Sequence, residues 1–161
     1  MRAVAQAART NTPAVYRRFK DRNDLIRALL LRIAGRIGDY FQRGKTLEEM
    51  TEAYVDYALQ MPNEYKLFYS YASFMSPKKG RGMPRPIRES RPNFALTEQL
   101  LAKNFGGSPD DHTQTALALW ALLHGTSTLL VNNAIPEGHE EALRQACRTA
   151  VKAILATAAA C

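Results

Sequence analysis

A chain of 161 residues, 46% of them hydrophobic, can bury one all-helical body with a small lobe attached and is too short for two large domains. Its net charge of +7 is lopsided: residues 1 to 45 hold eleven Lys and Arg against three Asp, a net of +8 that leaves −1 for the remainder. Two cysteines, Cys147 and Cys161, cannot form a disulfide framework, and the apolar stretch from Ala116 to Val131, broken by His124, falls short of the ~18 residues of a membrane span, so a cytoplasmic protein with no membrane partner is expected.

In chain order, the first elements are two short helices and a turn. Val4, Ala5, Ala7 and Ala8 mark the first helix, Arg9-Thr10-Asn11-Thr12-Pro13 the turn, and Ala14 to Phe19 the second helix. Asn11 or Thr12 can cap that second helix, and Pro13 suits its first turn because its fixed φ is already helical. Val15 and Phe19 lie one turn apart on a buried face, which leaves Ala14, Tyr16, Arg17 and Lys20 on the others. Small, polar and basic side chains at the start of a helix are what a major groove accepts, and the basic lobe coincides with them.

Asp21, with Asp24 three residues on, can cap a third helix whose apolar positions, from Leu25 through Leu30 and Ile37 to Phe41, carry it to about Gln42. Thr46-Leu47-Glu48-Glu49 is a capping box opening a helix to about Met61, and Pro62-Asn63 ends it and caps the next, Glu64 to about Met75. Ser76 to Arg91 reads as a basic loop, because Pro77, Gly80, Gly82, Pro84 and Pro86 erase any periodicity. A helix from about Pro92 to Asn104 stops at Gly106-Gly107. Ser108-Pro109-Asp110-Asp111 opens another that runs to about Asn133, and after the Ile135-Pro136-Glu137-Gly138 turn a last helix covers about His139 to Ala158. No segment alternates with period two, so the expected fold is all-α.

Val4-Ala5-x-x-Ala8, the turn at Arg9-Thr10-Asn11, Tyr16-Arg17-Arg18-Phe19 and Arg22-Asn23-Asp24-Leu25 resemble in spacing the DNA-binding region of the TetR family of transcriptional regulators. Arg9 stands where that family carries glycine, a position of positive φ. The resemblance implies that Asn11, Thr12, Pro13, Ala14, Tyr16, Arg17 and Arg22 face operator DNA, with Tyr16 and Arg22 on phosphates. It also implies that the chain begins inside the second helix of the head. A head of residues 1–43 lacking its first helix is then expected to exchange amides fast over residues 1–20 and to bind DNA poorly, while a body of residues 44–161 binds effector and dimerises.

Trp120, His124 and Gly125 form a Trp-x-x-x-His-Gly pattern, with Trp120 and His124 one turn apart on one face. A mid-helix glycine costs about 1 kcal/mol relative to alanine, which suggests that another helix backbone approaches closely. The pattern is similar to the C-terminal domain of one TetR subgroup. It implies a homodimer in which the last two helices pack against their copies as a four-helix bundle.

Between Tyr54 and Met75 the chain is dense in Tyr, Phe and Met. Tyrosines bring hydroxyls that need partners, so an elongated apolar cavity is expected between the helices of residues 47–61, 64–75, 92–104 and 109–133. Its candidate lining is Tyr57, Met61, Phe68, Tyr71, Trp120, His124 and Thr128. None is charged, which points to a small hydrophobic effector. A lone histidine on an apolar face is also what a hydrogen-bonded core residue looks like. His112, His124 and His139 share no ligand spacing with one another or with Cys147, so neither a metal nor a cofactor is expected.

The expected function is a ligand-responsive transcriptional regulator, a repressor that binds palindromic operator DNA as a homodimer and is released by its effector. The alternative is a dimeric ligand-binding module whose DNA binding is impaired because the first helix of the head is absent. No nucleophile with a base, carboxylate pair or phosphate-cradling glycine loop supports an enzyme.

Overall fold

The computed structural model describes residues 1–75 and 86–160, and among these there is no strand. The helices are α1 (Arg2–Ala7), α2 (Thr12–Arg18), α3 (Arg22–Phe41), α4 (Leu47–Gln60), α5 (Pro62–Ser70), α6 (Pro92–Phe105), α7 (Thr113–Val131) and α8 (Glu140–Ala159). Most of the expected basic loop, residues 76–85, lies outside the described residues. The chain is all-α, as its periodicity implies.

Local capping chemistry sets most of the boundaries. Asn11 Oδ1 accepts from the Ala14 amide at 2.8 Å and opens α2, while Asp21 Oδ1 accepts from the Asp24 amide at 2.8 Å and opens α3. Thr46 Oγ1 accepts from the Glu49 amide at 3.2 Å and opens α4. The turn between α1 and α2 is closed by Arg9 at φ 50°, with the Thr10 amide bonded to the Ala5 carbonyl and the Arg9 amide to that of Gln6. This is the Schellman pattern, in which a left-handed residue satisfies the last carbonyls of a helix. Asn133, also at φ 50°, ends α7 in the same way through the Ala134 and Asn133 amides.

Two boundaries differ from the sequence-based expectation. The helix expected to run to Met75 begins at Pro62, without a side-chain cap from Asn63, and ends at Ser70; Ala72–Met75 tightens into a 3-10 turn. The break falls at Tyr71, whose side chain is held by Arg22 rather than by its own helix. The Ser108 capping box forms, but it opens a 3-10 turn over Pro109–His112 before α7 starts at Thr113. Both are local tightenings of a chain that tertiary contacts pull away from α geometry.

Helix α4 lies at the centre of the body, against α3, α5, α7 and α8. Leu30 and Ile37 of α3, Val55 and Tyr57 of α4, Leu101 of α6 and Val151 of α8 are almost completely inaccessible and share one core. Each such aliphatic side chain contributes about 1.5 to 3 kcal/mol by leaving water. Because α3 buries Leu30, Ile33, Ala34, Ile37 and Phe41 in this core, the helix that starts in the head ends as a structural member of the body.

One buried carboxylate ties down the segment before α6. Glu98 is 1% exposed, and its Oε1 accepts from Thr113 Oγ1 at 2.7 Å and from Arg88 Nη2 at 3.2 Å. Arg88 Nε lies 2.9 Å from the second oxygen as an ion-pair contact, and Arg88 also pairs with Asp110. A single cation thereby joins the 3-10 turn Ile87–Glu89 to α6 and to the entry of α7.

Candidate functional site

Helix α2 presents a compact polar and basic face. Pro13, Tyr16, Arg17 and Lys20 are exposed, Tyr16 to 52%, while Val15 is buried and Phe19 half-buried beneath them. Thr12 and Ala14 are half-buried, and Asn11 is exposed with its side-chain oxygen committed to the cap. Arg22 stands at the first residue of α3, so six of the seven residues expected to face DNA cluster around the opening of α2 and the seventh marks the next helix start. On the opposite helix of the lobe, Val4 is 39% exposed.

Arg22 is also the point where the head meets the body. Its Nη2 donates to the Tyr71 hydroxyl at 3.3 Å, and its guanidinium sits 5.9 Å from the centre of the Tyr71 ring. Such a cation–ring contact contributes about 0.5 to 1 kcal/mol at an exposed site.

Within the body, a narrow, partly open cavity of about 60 Å³ lies among α3, α4, α5, α6 and α7. Its walls are Phe68 and Tyr69 of α5, Phe94 of α6, Trp120 and Leu123 of α7, and Ile37 and Phe41 of α3, with Thr51, Tyr54, Asn93 and Thr97 adding polar atoms and Arg91 a cation. Two larger depressions, of about 430 and 640 Å³, are open surface grooves. Sites for drug-sized ligands run to roughly 300 to 1,000 Å³ and enclose most of their ligand, so the small cavity has the right lining but must expand to be filled.

Of the seven residues expected to line such a cavity, Phe68 and Trp120 do. The other five lie elsewhere. Tyr57 is fully buried beside the site, with its hydroxyl donating to Glu64 Oε2 at 2.9 Å; Glu64 in turn pairs with Arg36. Met61 is 38% exposed at the α4–α5 junction, and Tyr71 is engaged with Arg22. His124 and Thr128 both meet the Tyr65 hydroxyl, His124 through Nδ1 at 2.6 Å and Thr128 through Oγ1 at 3.3 Å. The expectation of an uncharged lining is corrected by Arg91, which sequence reading assigned to the loop.

Trp120 and His124 do share a face, and what they share is Tyr69. Trp120 Nε1 donates to the Tyr69 hydroxyl at 3.3 Å, the His124 ring lies 3.9 Å from the Tyr69 ring centre, and Tyr54 bonds the same hydroxyl. Burial raises the Tyr54 hydroxyl well above its ordinary range and that of Tyr65 up to about 12, so both phenols stay protonated and keep their hydrogen bonds. Gly125 differs from expectation: a Cβ at that position would meet nothing within 4 Å, so among the described residues no other backbone approaches it closely.

Burial also holds the His124 imidazole below its ordinary value of 6.5. The folded state therefore keeps this ring neutral while the unfolded chain takes up a proton as pH falls through 6.5, and stability declines in that direction. Thermal denaturation between pH 7.5 and 5 should show a steeper loss in the wild-type chain than in His124→Gln. Parallel curves for the two would assign the acid sensitivity elsewhere.

The body is a bundle of helices around a small, largely apolar cavity, and the long helix α3 enters it from a basic lobe of two short helices. A family model described as the tetracyclin repressor-like, C-terminal domain matches residues 47–160. The chain belongs to this TetR-like family. No curated protein and no solved structure is similar enough to match it. Among the described residues, no helix is long and apolar enough to cross a membrane.

Proposed function

We propose that the protein is a cytoplasmic, ligand-responsive transcriptional repressor, not an enzyme, that binds palindromic operator DNA as a homodimer and leaves it when a small, largely apolar effector enters the body. The observation that carries this reading is the position of α5. Its Phe68 and Tyr69 form one wall of the cavity, and Tyr71, just past its end, holds Arg22 at the start of α3. A ligand too large for 60 Å³ would displace part of this lining, and α5 is the wall that ends beside the Tyr71–Arg22 contact. Such a ligand then binds the expanded body better than the contracted one, and only such a difference in affinity can shift the equilibrium between head positions.

Dimerisation through α7 and α8 is supported by their outer faces. Gln114, Ala118, Ala121, Gly125 and Leu129 follow one another at helical spacing along α7, and Ala142, Ala146, Thr149, Ala153 and Ala156 do so along α8. Helix α7 is apolar nearly all round, which is the pattern of a helix covered on every side. Small residues let a second copy approach closely, and an open Gly125 fits that use.

Binding of labelled duplex DNA, followed by anisotropy across a salt series, tests the head. Arg17→Ala should lose roughly 1 to 3 kcal/mol on the preferred sequence and relax its preference at one base pair. Arg22→Ala should weaken all sequences alike and lower the salt slope by about one unit. Wild-type base preference and salt slope in both variants would remove α2 and Arg22 from the interface.

A further inference from the structure

The basic lobe exposes Arg2, Arg9, Arg17, Arg18, Lys20 and Arg22. Among the described residues, Arg22 is the one of these whose side chain reaches the body, through Nη2 at 3.3 Å from the Tyr71 hydroxyl and a guanidinium 5.9 Å from the centre of its ring. Tyr71 is itself firmly placed. It is half-buried against the core, and its amide closes α5 on the Leu67 carbonyl at 3.2 Å. Its carbonyl accepts from the Phe74 amide at 2.9 Å, and its ring meets that of Phe74 edge-on, with centres 5.7 Å apart. Both α5 and the 3-10 turn Ala72–Met75 pack on α3.

An exposed arginine moves among many rotamers, and gripping a phosphate requires that freedom to be given up on binding. A contact that already holds the side chain in one place lowers that cost. The guanidinium has five N–H donors in a planar fork; Tyr71 takes one of them, and a phosphate oxygen needs only one or two of the others. The chemistry of the partner also matters. A carboxylate in its place would compete with phosphate for the guanidinium, whereas a phenol directs the group without cancelling its charge. We propose that Tyr71, a residue of the body, is a positioning residue for DNA binding: it orients the Arg22 guanidinium toward a backbone phosphate, so that the grip of the head depends on where the end of α5 stands. The inference rests on the reading of Arg22 as a phosphate contact and adds the body residue that sets the strength of that contact.

The test uses the whole chain and a fluorescein-labelled duplex of mixed sequence, with anisotropy titrations across a sodium chloride series and a circular dichroism melt for each variant. Tyr71→Leu should lower affinity about two- to five-fold at every salt concentration. Its salt slope should match the wild type, because Arg22 still reaches the phosphate once DNA is bound. Tyr71→Phe, which keeps the ring against Phe74 and removes the hydroxyl, should fall between the two and carries the test if Tyr71→Leu loosens the body. In an Arg22→Ala background the Tyr71 substitutions should change nothing further, since the group they position is gone. Wild-type affinity in both Tyr71 variants, a gain in affinity, or an equal loss with and without Arg22 would overturn the positioning role while leaving Arg22 on a phosphate. No binding by the wild-type chain, or a wild-type salt slope in Arg22→Ala, would overturn the reading beneath it as well.

Discussion

Ala121→Arg should leave each chain folded and turn the proposed dimer into monomers. Residue 121 is exposed on α7, between exposed Ala118 and half-buried Gly125. Arginine is a good helix former, and a surface substitution away from special contacts changes stability by about ±0.5 kcal/mol or less. In the proposed two-fold bundle the same position faces its own copy or lies close to it. Two guanidinium groups would then be buried near each other without partners, which costs several kcal/mol, and each 1.4 kcal/mol is about ten-fold in the dissociation constant. Sedimentation should therefore show dimer association weakened by at least about a hundred-fold, with an unchanged helix signal. Gly125→Leu should act in the same direction by bulk alone. Dimers of wild-type affinity in both variants would move the interface away from α7.

Arg88→Ala should be the most damaging single substitution among the surface arginines. It leaves the Glu98 carboxylate, 1% exposed, with Thr113 as its remaining hydrogen-bond partner. Removing one member of a buried pair costs about 3 to 5 kcal/mol because the other charge stays buried and uncompensated. With Thr113 still bonded, about 3 kcal/mol is expected, or roughly 6 to 12 °C in Tm for a chain of this size. Changing both partners, Arg88→Met with Glu98→Gln, should bring stability back to within about 1 kcal/mol of wild type, since no buried charge is left over. A double variant as unstable as Arg88→Ala would mean that the lost packing of the arginine stem, rather than the stranded carboxylate, is responsible. Arg144→Ala, at the contact of α8 with Glu52 and Asp56, should cost less, because those carboxylates are partly exposed and can be rehydrated.

The parts of this fold that were legible in the sequence are those whose causes are local. Asn11, Asp21 and Thr46 each cap the helix that follows within three residues, so a short window contains the whole interaction. Long amphipathic runs such as Leu25 to Phe41 repeat the signal many times and place α3 within a residue of where it stops. The cavity was legible only as a density of aromatics. Which of Tyr65, Phe68 and Tyr69 faces inward depends on how α5 is turned, and that is set by distant partners, such as Trp120, 51 residues from Tyr69, and His124, 59 residues from Tyr65. Tyr71, half-buried against the core, lies outside the cavity lining and is bonded by Arg22, 49 residues earlier. Arg91 was invisible for a different reason. Its neighbours read as a loop, and nothing local announces that Arg88 and Glu98 fold the last residues of that loop against α6. The Trp-x-x-x-His-Gly pattern was seen correctly as a unit on one helix, but its common partner, Tyr69, and the open space at Gly125 needed the assembled body.

The central claim is that a basic head on this body reads paired DNA half-sites. Selection from a random duplex library at low salt, where phosphate contacts weigh most, tests it directly. The wild-type chain should enrich an inverted repeat with half-sites about one helical turn apart, and Arg17→Ala should relax one symmetric position in it. Ala121→Arg should abolish enrichment of the full repeat, since it separates the two heads. Recovery of no inverted repeat by the wild-type chain, or of the same unaltered repeat by all three proteins, would contradict the account.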